Sequence, residues 1–238
     1  MLAPITDLDA FIATRRSWHT LAERVLAPAR HRDSGHIGLR ATPNGFATPS
    51  FGAGRVLAVA GTELLVTEAA STTRHPITTL RSAAAAAGIE PGAETGVYVP
   101  TTPSDPDAVL SVDAGSAARL GDWINFGAEL LGQWRRTHAH DTPTEIQLWP
   151  EHFDLALDLG AEGRRANYGA SPGDADHPLP YVYVGPWNAS DDPFWNAGTY
   201  ARLGDEELVG VPDPGATALA FFARGYEVAE PTENMRNS

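Results

Sequence analysis

The stretch Glu151-His152-Phe153-Asp154-Leu155-Ala156-Leu157-Asp158-Leu159-Gly160 decides the fold. Phe153, Leu155, Leu157 and Leu159 repeat with a period of two, the pattern of a strand that buries one face and shows the other. The spacing predicts a strand over 152–159 with His152, Asp154, Ala156 and Asp158 on the face opposite the leucines. Gly160-Ala161-Glu162-Gly163 reads as a tight turn into a return strand at 164–170. That turn sets an expected register of Asp158 opposite Arg165, Ala156 opposite Asn167, Asp154 opposite Gly169 and His152 opposite Ser171. A further strand at 181–184 puts Tyr181 and Tyr183 on a common face, and Gly169 beside Asp154 would leave space for a ligand.

Working outward, apolar residues from Ile5 to Leu26 recur every three or four positions and predict a helix over 5–27, capped by Thr6 or Asp7 and stopped by Pro28. Apolar runs at 36–41, 46–51, 55–60 and 63–68, separated by glycine-containing turns, predict an antiparallel meander. A helix over 77–87 opened by Pro76, a long helix over 114–136 capped by Asp113, and a last helix over 213–224 complete the pattern. The fold class expected is α+β, antiparallel sheets with packed helices. Each half runs helix, short strands, helix, which admits two similar halves. The expected organisation is one compact domain, 1–238, whose candidate internal boundary is the proline-rich connector 89–113, with at most one strand there, at Val97–Val99. Residues 1–88 would form the N-terminal half and 114–238 the C-terminal half.

Composition closes off several chemistries. The chain of 238 residues has no Cys, and all 17 basic residues are Arg. Thiolate catalysis, iron–sulfur ligation and Cys-based zinc sites are excluded, as is a lysine Schiff base. Of the net charge of −13, residues 121–238 carry −12, from 7 Arg against 19 acids. Such a surface repels phosphate backbones and anionic lipid, so neither nucleic acid nor a membrane is an expected partner, and the expected location is cytoplasmic. No cofactor is implied, and oligomeric state is not encoded in any visible pattern.

What remains is His, Asp, Glu, Ser, Tyr and Arg chemistry. His152 is the natural proton-transfer group, with Asp154 or Glu151 to orient it. Trp187, Trp195 and Tyr181 would supply apolar walls, while His152, Asp154 and Asn167 would orient polar groups, with Ser171 and Asp174 completing the expected ligand-binding residues. The leading expectation is therefore a pocket for a small polar molecule in the C-terminal half, with or without catalysis. A metal-dependent hydrolase using His152, Asp174, Asp176 and His177 is one alternative. An acidic interaction module, its aromatics simply core, is another. His138-Ala139-His140-Asp141 reads as a solvated loop at a helix end, and His19 as an exposed residue on the polar side of the first helix.

Four blocks carry a resemblance: Trp149-Pro150-Glu151-His152-Phe153-Asp154, Asn167-Tyr168-Gly169-Ala170-Ser171-Pro172-Gly173-Asp174, Pro180-Tyr181-Val182-Tyr183-Val184-Gly185-Pro186-Trp187 and Phe194-Trp195-Asn196-Ala197. Together they resemble successive blocks of a bacterial family catalogued only as a domain of unknown function. The resemblance implies a shared fold and nominates Glu151, His152, Asp154, Asp174 and Trp187 as motif positions. It implies no activity.

Overall fold

The computed structural model describes residues 2–93, 96–161, 163–188 and 191–229. Among these residues the chain is α+β, with two antiparallel five-stranded sheets and packed helices. It divides into two compact units. The N-terminal unit holds 5–125 and 147–153; the C-terminal unit holds 126–146 and 154–229 together with 2–4.

In the N-terminal unit, α1 (Leu8–Leu21) is capped by Asp7, whose side chain accepts from Ala10 N at 3.0 Å. Pro28 does not end the helical run. A π-helical segment, Ala22–Leu26, leads into α2 (Ala27–Ser34), which stops at the left-handed Gly35. Proline has no N–H for the carbonyl four residues before it. That carbonyl, Arg24 O, accepts instead from Gly92 N at 3.1 Å. The wider π turn accommodates the ring, so the helix passes through a residue that sequence reading takes as a stop.

The same segment buries a charge. Glu23 has no exposed surface, and its carboxylate accepts from Thr101 N at 2.9 Å, Thr102 N at 2.8 Å and the Thr102 hydroxyl. Arg24 Nε lies 3.6 Å from Glu23 Oε2 and donates to Thr102 Oγ1 at 3.1 Å. The connector expected to mark an internal boundary is thus fastened, at 92 and at 101–102, to the π segment. Val97–Val99 is turn and coil, not strand.

The meander comprises β1 (Arg40–Thr42), β2 (Gly45–Ala47), β3 (Val56–Ala60), β4 (Glu63–Glu68) and β5 (Ser71–Pro76), paired in that order. β5 was not expected: it is polar and mostly exposed, and ends at Pro76 as an edge strand. The next helix, α3 (Leu80–Ala86), starts three residues later than expected, because Thr79 and Ser82 close a capping box. Leu57, Val59 and Leu64 alternate inward, while Trp18 packs edge-on against Phe46 at 5.8 Å and donates to Gly61 O at 3.2 Å. The long helix α4 (Ala114–Thr137) is capped by Asp113 through Ser116 N at 2.7 Å, as expected; its first half belongs to this unit. β6 (Gln147–Trp149), whose Leu148 forms an isolated bridge with Leu39, is counted as the fifth strand of the second sheet.

The C-terminal unit is built on β7 (Asp154–Leu159), β8 (Ala166–Ser171), β9 (Tyr181–Pro186) and β10 (Ala201–Gly204), each antiparallel to the next. A short helix α5 (Asp205–Leu208) and α6 (Pro214–Val228) follow. One sheet face is apolar: Leu155, Leu157, Leu159, Tyr168, Ala170, Val182 and Val184 are all buried. Helices press closely on it. A Cβ on Gly127 of α4 would lie 2.7 Å from Ala170 Cβ, and one on Gly225 of α6 would lie 2.8 Å from Val184. Trp134 and Phe222 flank Tyr168 with ring centroids 5.3 Å from it.

Tyr168 is completely buried, and among the described residues its hydroxyl has no hydrogen-bond partner. Burial, followed by the nearby Tyr226 and Asp141, pushes that phenol well above its usual range. A desolvated hydroxyl without a partner costs free energy, so removing it relieves a penalty. Tyr168→Phe is expected to be as stable as the wild type or more stable by about 1 kcal/mol in urea unfolding. A loss of more than about 2 kcal/mol would show that the hydroxyl makes a bond essential to the core.

Candidate functional site

The observed register is shifted by two residues from the one expected. Leu159 pairs with Ala166, Asp158 with Asn167, Ala156 with Gly169 and Leu155 with Ala170. The loop spans 160–165, because Arg164 and Arg165 stay outside the ladder. Arg165 donates to Thr142 Oγ1 at 3.0 Å and Thr142 O at 3.1 Å, and its guanidinium forms an ion pair with Asp158. A slip of two leaves every side chain on its original face, whereas a slip of one would have inverted the sheet. The polar face therefore survives: Asp154, Asp158, Asn167, Ser171, Tyr181 and Tyr183 share it.

Phe153 does not belong to the leucine row. Its φ is 53°, a left-handed conformation unusual for a bulky residue, and it closes a turn in which its N–H donates to Trp149 O at 2.7 Å. β7 begins only at Asp154. Glu151 and His152 therefore sit in a turn of the N-terminal unit. His152 is exposed there; Glu151 is half-buried, and its Oε2 has no hydrogen-bond partner among the described residues. Asp154, the third proposed catalytic residue, is buried at the start of β7.

Asp154 is the anchor of the polar face. Tyr183, two strands away on β9, donates its hydroxyl to Asp154 Oδ2. The ring makes that reach by passing over Gly169 on the strand between: a Cβ there would lie 2.3 Å from the ring's Cε1 and Cζ atoms. Gly169 was expected to leave room for a ligand; it lies opposite Ala156, not Asp154, and the room is filled by Tyr183.

A second phenol–carboxylate pair lies beside the first. Tyr181 donates to Asp174 Oδ2 at 2.6 Å, and the rings of Tyr181 and Tyr183 are 6.2 Å apart. Asp174 is held in turn by the amides of Asp176 at 2.7 Å and His177 at 2.8 Å, both to Oδ1. His177 packs edge-on against Tyr181 at 5.8 Å. Ser171, buried opposite Tyr181, accepts from Gly173 N at 3.1 Å. The loop Ser171–Pro180 is thus shaped by carboxylate and hydroxyl groups of the face itself.

The electrostatics of the pairs are asymmetric. Burial, reinforced by the hydrogen bond to Asp174, pushes the Tyr181 phenol well above its ordinary value, although a hydrogen bond with Ser171 acts the other way. Burial and the adjoining Asp154 carboxyl do the same to Tyr183. Both phenols are therefore neutral donors at neutral pH. For Asp174, burial would raise the carboxyl, but the Tyr181 hydroxyl and the two amides outweigh it and leave the group below its usual range.

The remaining expected residues lie elsewhere. Asn167 is exposed, opposite Asp158 and Gly185. Trp187 is 61% exposed, with the Arg165 guanidinium 5.6 Å from its ring centroid. Trp195 is buried and stacks edge-on with Phe194 at 5.1 Å. Among the described residues no group of three or more His, Asp or Glu is placed to hold a metal ion. Nor is any helix among them long and apolar enough to cross a membrane.

Sequence reading missed two residues. Tyr183 was placed on the right face, yet the pairing with Asp154 needs the two-residue shift. His19 is not an exposed helix residue: its Nε2 lies 2.9 Å from Pro150 O, and its ring stacks on Phe153 at 5.3 Å and 11°. Burial lowers its pKa, with Arg15 and His152 acting in the same direction and Glu23 and the Pro150 carbonyl opposing. A histidine whose folded pKa lies below its unfolded value adds stability above pH 6.5 that is lost as the pH falls from there through the folded value. Urea midpoints of the wild type should thus drop on acidification below pH 6.5, and His19→Gln should flatten that dependence. An equal slope in the variant would assign the acid sensitivity to other groups.

No protein-family model, no curated protein and no solved structure matches this chain.

Proposed function

We propose that the protein binds a small polar molecule on the tyrosine–carboxylate face of its C-terminal unit, and that the ligand brings hydrogen-bond donors, such as an amine or several hydroxyls. The observation that carries this reading is the pair of phenol–carboxylate couples standing side by side, Tyr183 with Asp154 and Tyr181 with Asp174, their rings 6.2 Å apart. A sheet face that needs only to be wetted has no use for a buried carboxyl held by a phenol two strands away. Carboxyl oxygens and neutral phenols in a partly desolvated setting are the groups that fix a donor-rich ligand. The strong negative charge of residues 121–238 adds attraction for a cationic one.

The resemblance of the four blocks is part of this proposal, since Asp154, Ser171, Asp174 and Tyr181 all fall within them. So is a cytoplasmic location, where small amines and polyols are available.

A thermal-shift screen of amines, amino acids and polyols tests the reading. At a hundred times its Kd, a ligand confined to the folded state adds about 2.7 kcal/mol, or on the order of 5–10 °C in Tm. The shift should disappear in Tyr181→Phe/Tyr183→Phe. An equal shift in that double variant would place binding elsewhere.

A further inference from the structure

His19 belongs to the N-terminal unit, and three observations meet there. The first concerns its tautomer. A carbonyl only accepts, so the 2.9 Å contact with Pro150 O requires Nε2 to carry the proton and leaves Nδ1 with its lone pair. Among the described residues Nδ1 has no hydrogen-bond partner, and the residue keeps part of its surface exposed. The second concerns orientation: the ring lies nearly parallel to Phe153, which itself packs edge-on against Phe46 at 5.3 Å. Imidazole direction and tautomer are therefore both fixed before anything binds.

The third observation is strain. Phe153 holds the turn 149–153 in a left-handed conformation, at φ 53°. On the other side of His19, three residues on, α1 gives way to the π segment that carries buried Glu23. Each irregularity has a cost, and such costs collect where a side chain must be aimed. The charged and titratable groups facing the imidazole are Glu23 and Arg15 from its own helical run and His152 from the turn. Both carboxyl oxygens of Glu23 are engaged by Thr101 and Thr102.

We propose that His19 is the hydrogen-bond-accepting residue of a second site, walled by the Trp149–Phe153 turn, that takes a small molecule through a hydroxyl or N–H hydrogen at Nδ1. In such a site the ligand's hydroxyl or N–H donates a hydrogen bond to the Nδ1 lone pair. A neutral resting imidazole, which burial favours, is the form this role requires. The inference does not rest on the tyrosine–carboxylate reading, and either can fail without the other.

Two measurements on the full chain test it. Long-range proton–nitrogen NMR of the wild type, assigned along the backbone, reports the tautomer; the expected result is protonated Nε2 and bare Nδ1 above pH 6.5. Diethyl pyrocarbonate then probes whether that lone pair is basic and reachable: it attacks a carbonyl carbon, ethyl carbonate leaves, and the Nε2 proton goes to solvent. Peptide mapping by mass spectrometry should find His19 acylated, with a half-maximal rate below pH 6.5. His19→Gln should lose that one adduct and keep the others; if the variant fails to fold, the wild-type pH profile alone decides. A protonated Nδ1, or His19 unmodified when His152 is fully modified, overturns the proposal.

Discussion

Glu23→Ala is expected to lose about 3–5 kcal/mol of stability, the range for breaking a buried ionic group and leaving its partners unmet. The carboxylate accepts from two backbone amides and a hydroxyl of the connector, all shielded from water by a residue with no exposed surface. Alanine would strand those three donors and remove the anion beside Arg24. Because the same contacts pin Thr101 and Thr102 to the π segment, the variant should also become sensitive to limited proteolysis within 92–102. Urea unfolding gives the magnitude and the cleavage map gives the place. A loss below about 1 kcal/mol with an unchanged map would mean that the connector is held by other contacts.

Gly169→Val is the second large effect expected, at about 3 kcal/mol, the upper end for overpacking a filled site. The added carbons would occupy the space of the Tyr183 ring, whose nearest atoms lie 2.3 Å from an ideal Cβ position. The ring would have to leave, and Asp154 would lose a donor while remaining buried. If steric exclusion of Tyr183 is the cause, Gly169→Val/Tyr183→Ala should recover part of the loss, with a coupling of about 1–3 kcal/mol between the sites. Strict additivity would show that valine at 169 acts on the backbone of β8 and not on the phenol.

The parts of the fold that were legible in the sequence are those where one physical signal acts alone. The row Leu155, Leu157, Leu159 and the pair Tyr181, Tyr183 announce their faces by alternation, and Asp113 announces α4 by its cap. β5 was not legible because its side chains are polar on both faces and its hairpin turns through Ala69 and Ala70, with φ of 45° and 67°. No glycine or asparagine marks that turn, so the usual signal is missing. Pro28 misled for the complementary reason: its effect on the helix is absorbed by a π turn and by Gly92, sixty-odd positions away in the sequence. The register at 160–165 depends on where Arg165 finds partners, which is tertiary information.

The candidate site shows the same division. Asp154, Ser171 and Tyr181 are legible in the strand pattern and share one face, while Asp174, nominated by the resemblance, is tied to that face through the Tyr181 hydroxyl. His152 is assigned by extending that strand two residues too far, across the left-handed Phe153, and Glu151 only as its possible orienting carboxylate and as a motif position of the resemblance. His19 gave no signal, since a histidine on a helix reads as exposed until the turn that receives it is known.

The most direct test of ligand binding by the tyrosine–carboxylate face is a crystal structure of the protein soaked with the compound that most raises its Tm. The expected result is density for that compound in hydrogen-bond reach of the Tyr181 and Tyr183 hydroxyls or of the carboxyl oxygens of Asp154 and Asp174. Density for the compound only at other residues, with both phenol–carboxylate pairs undisturbed, would contradict it.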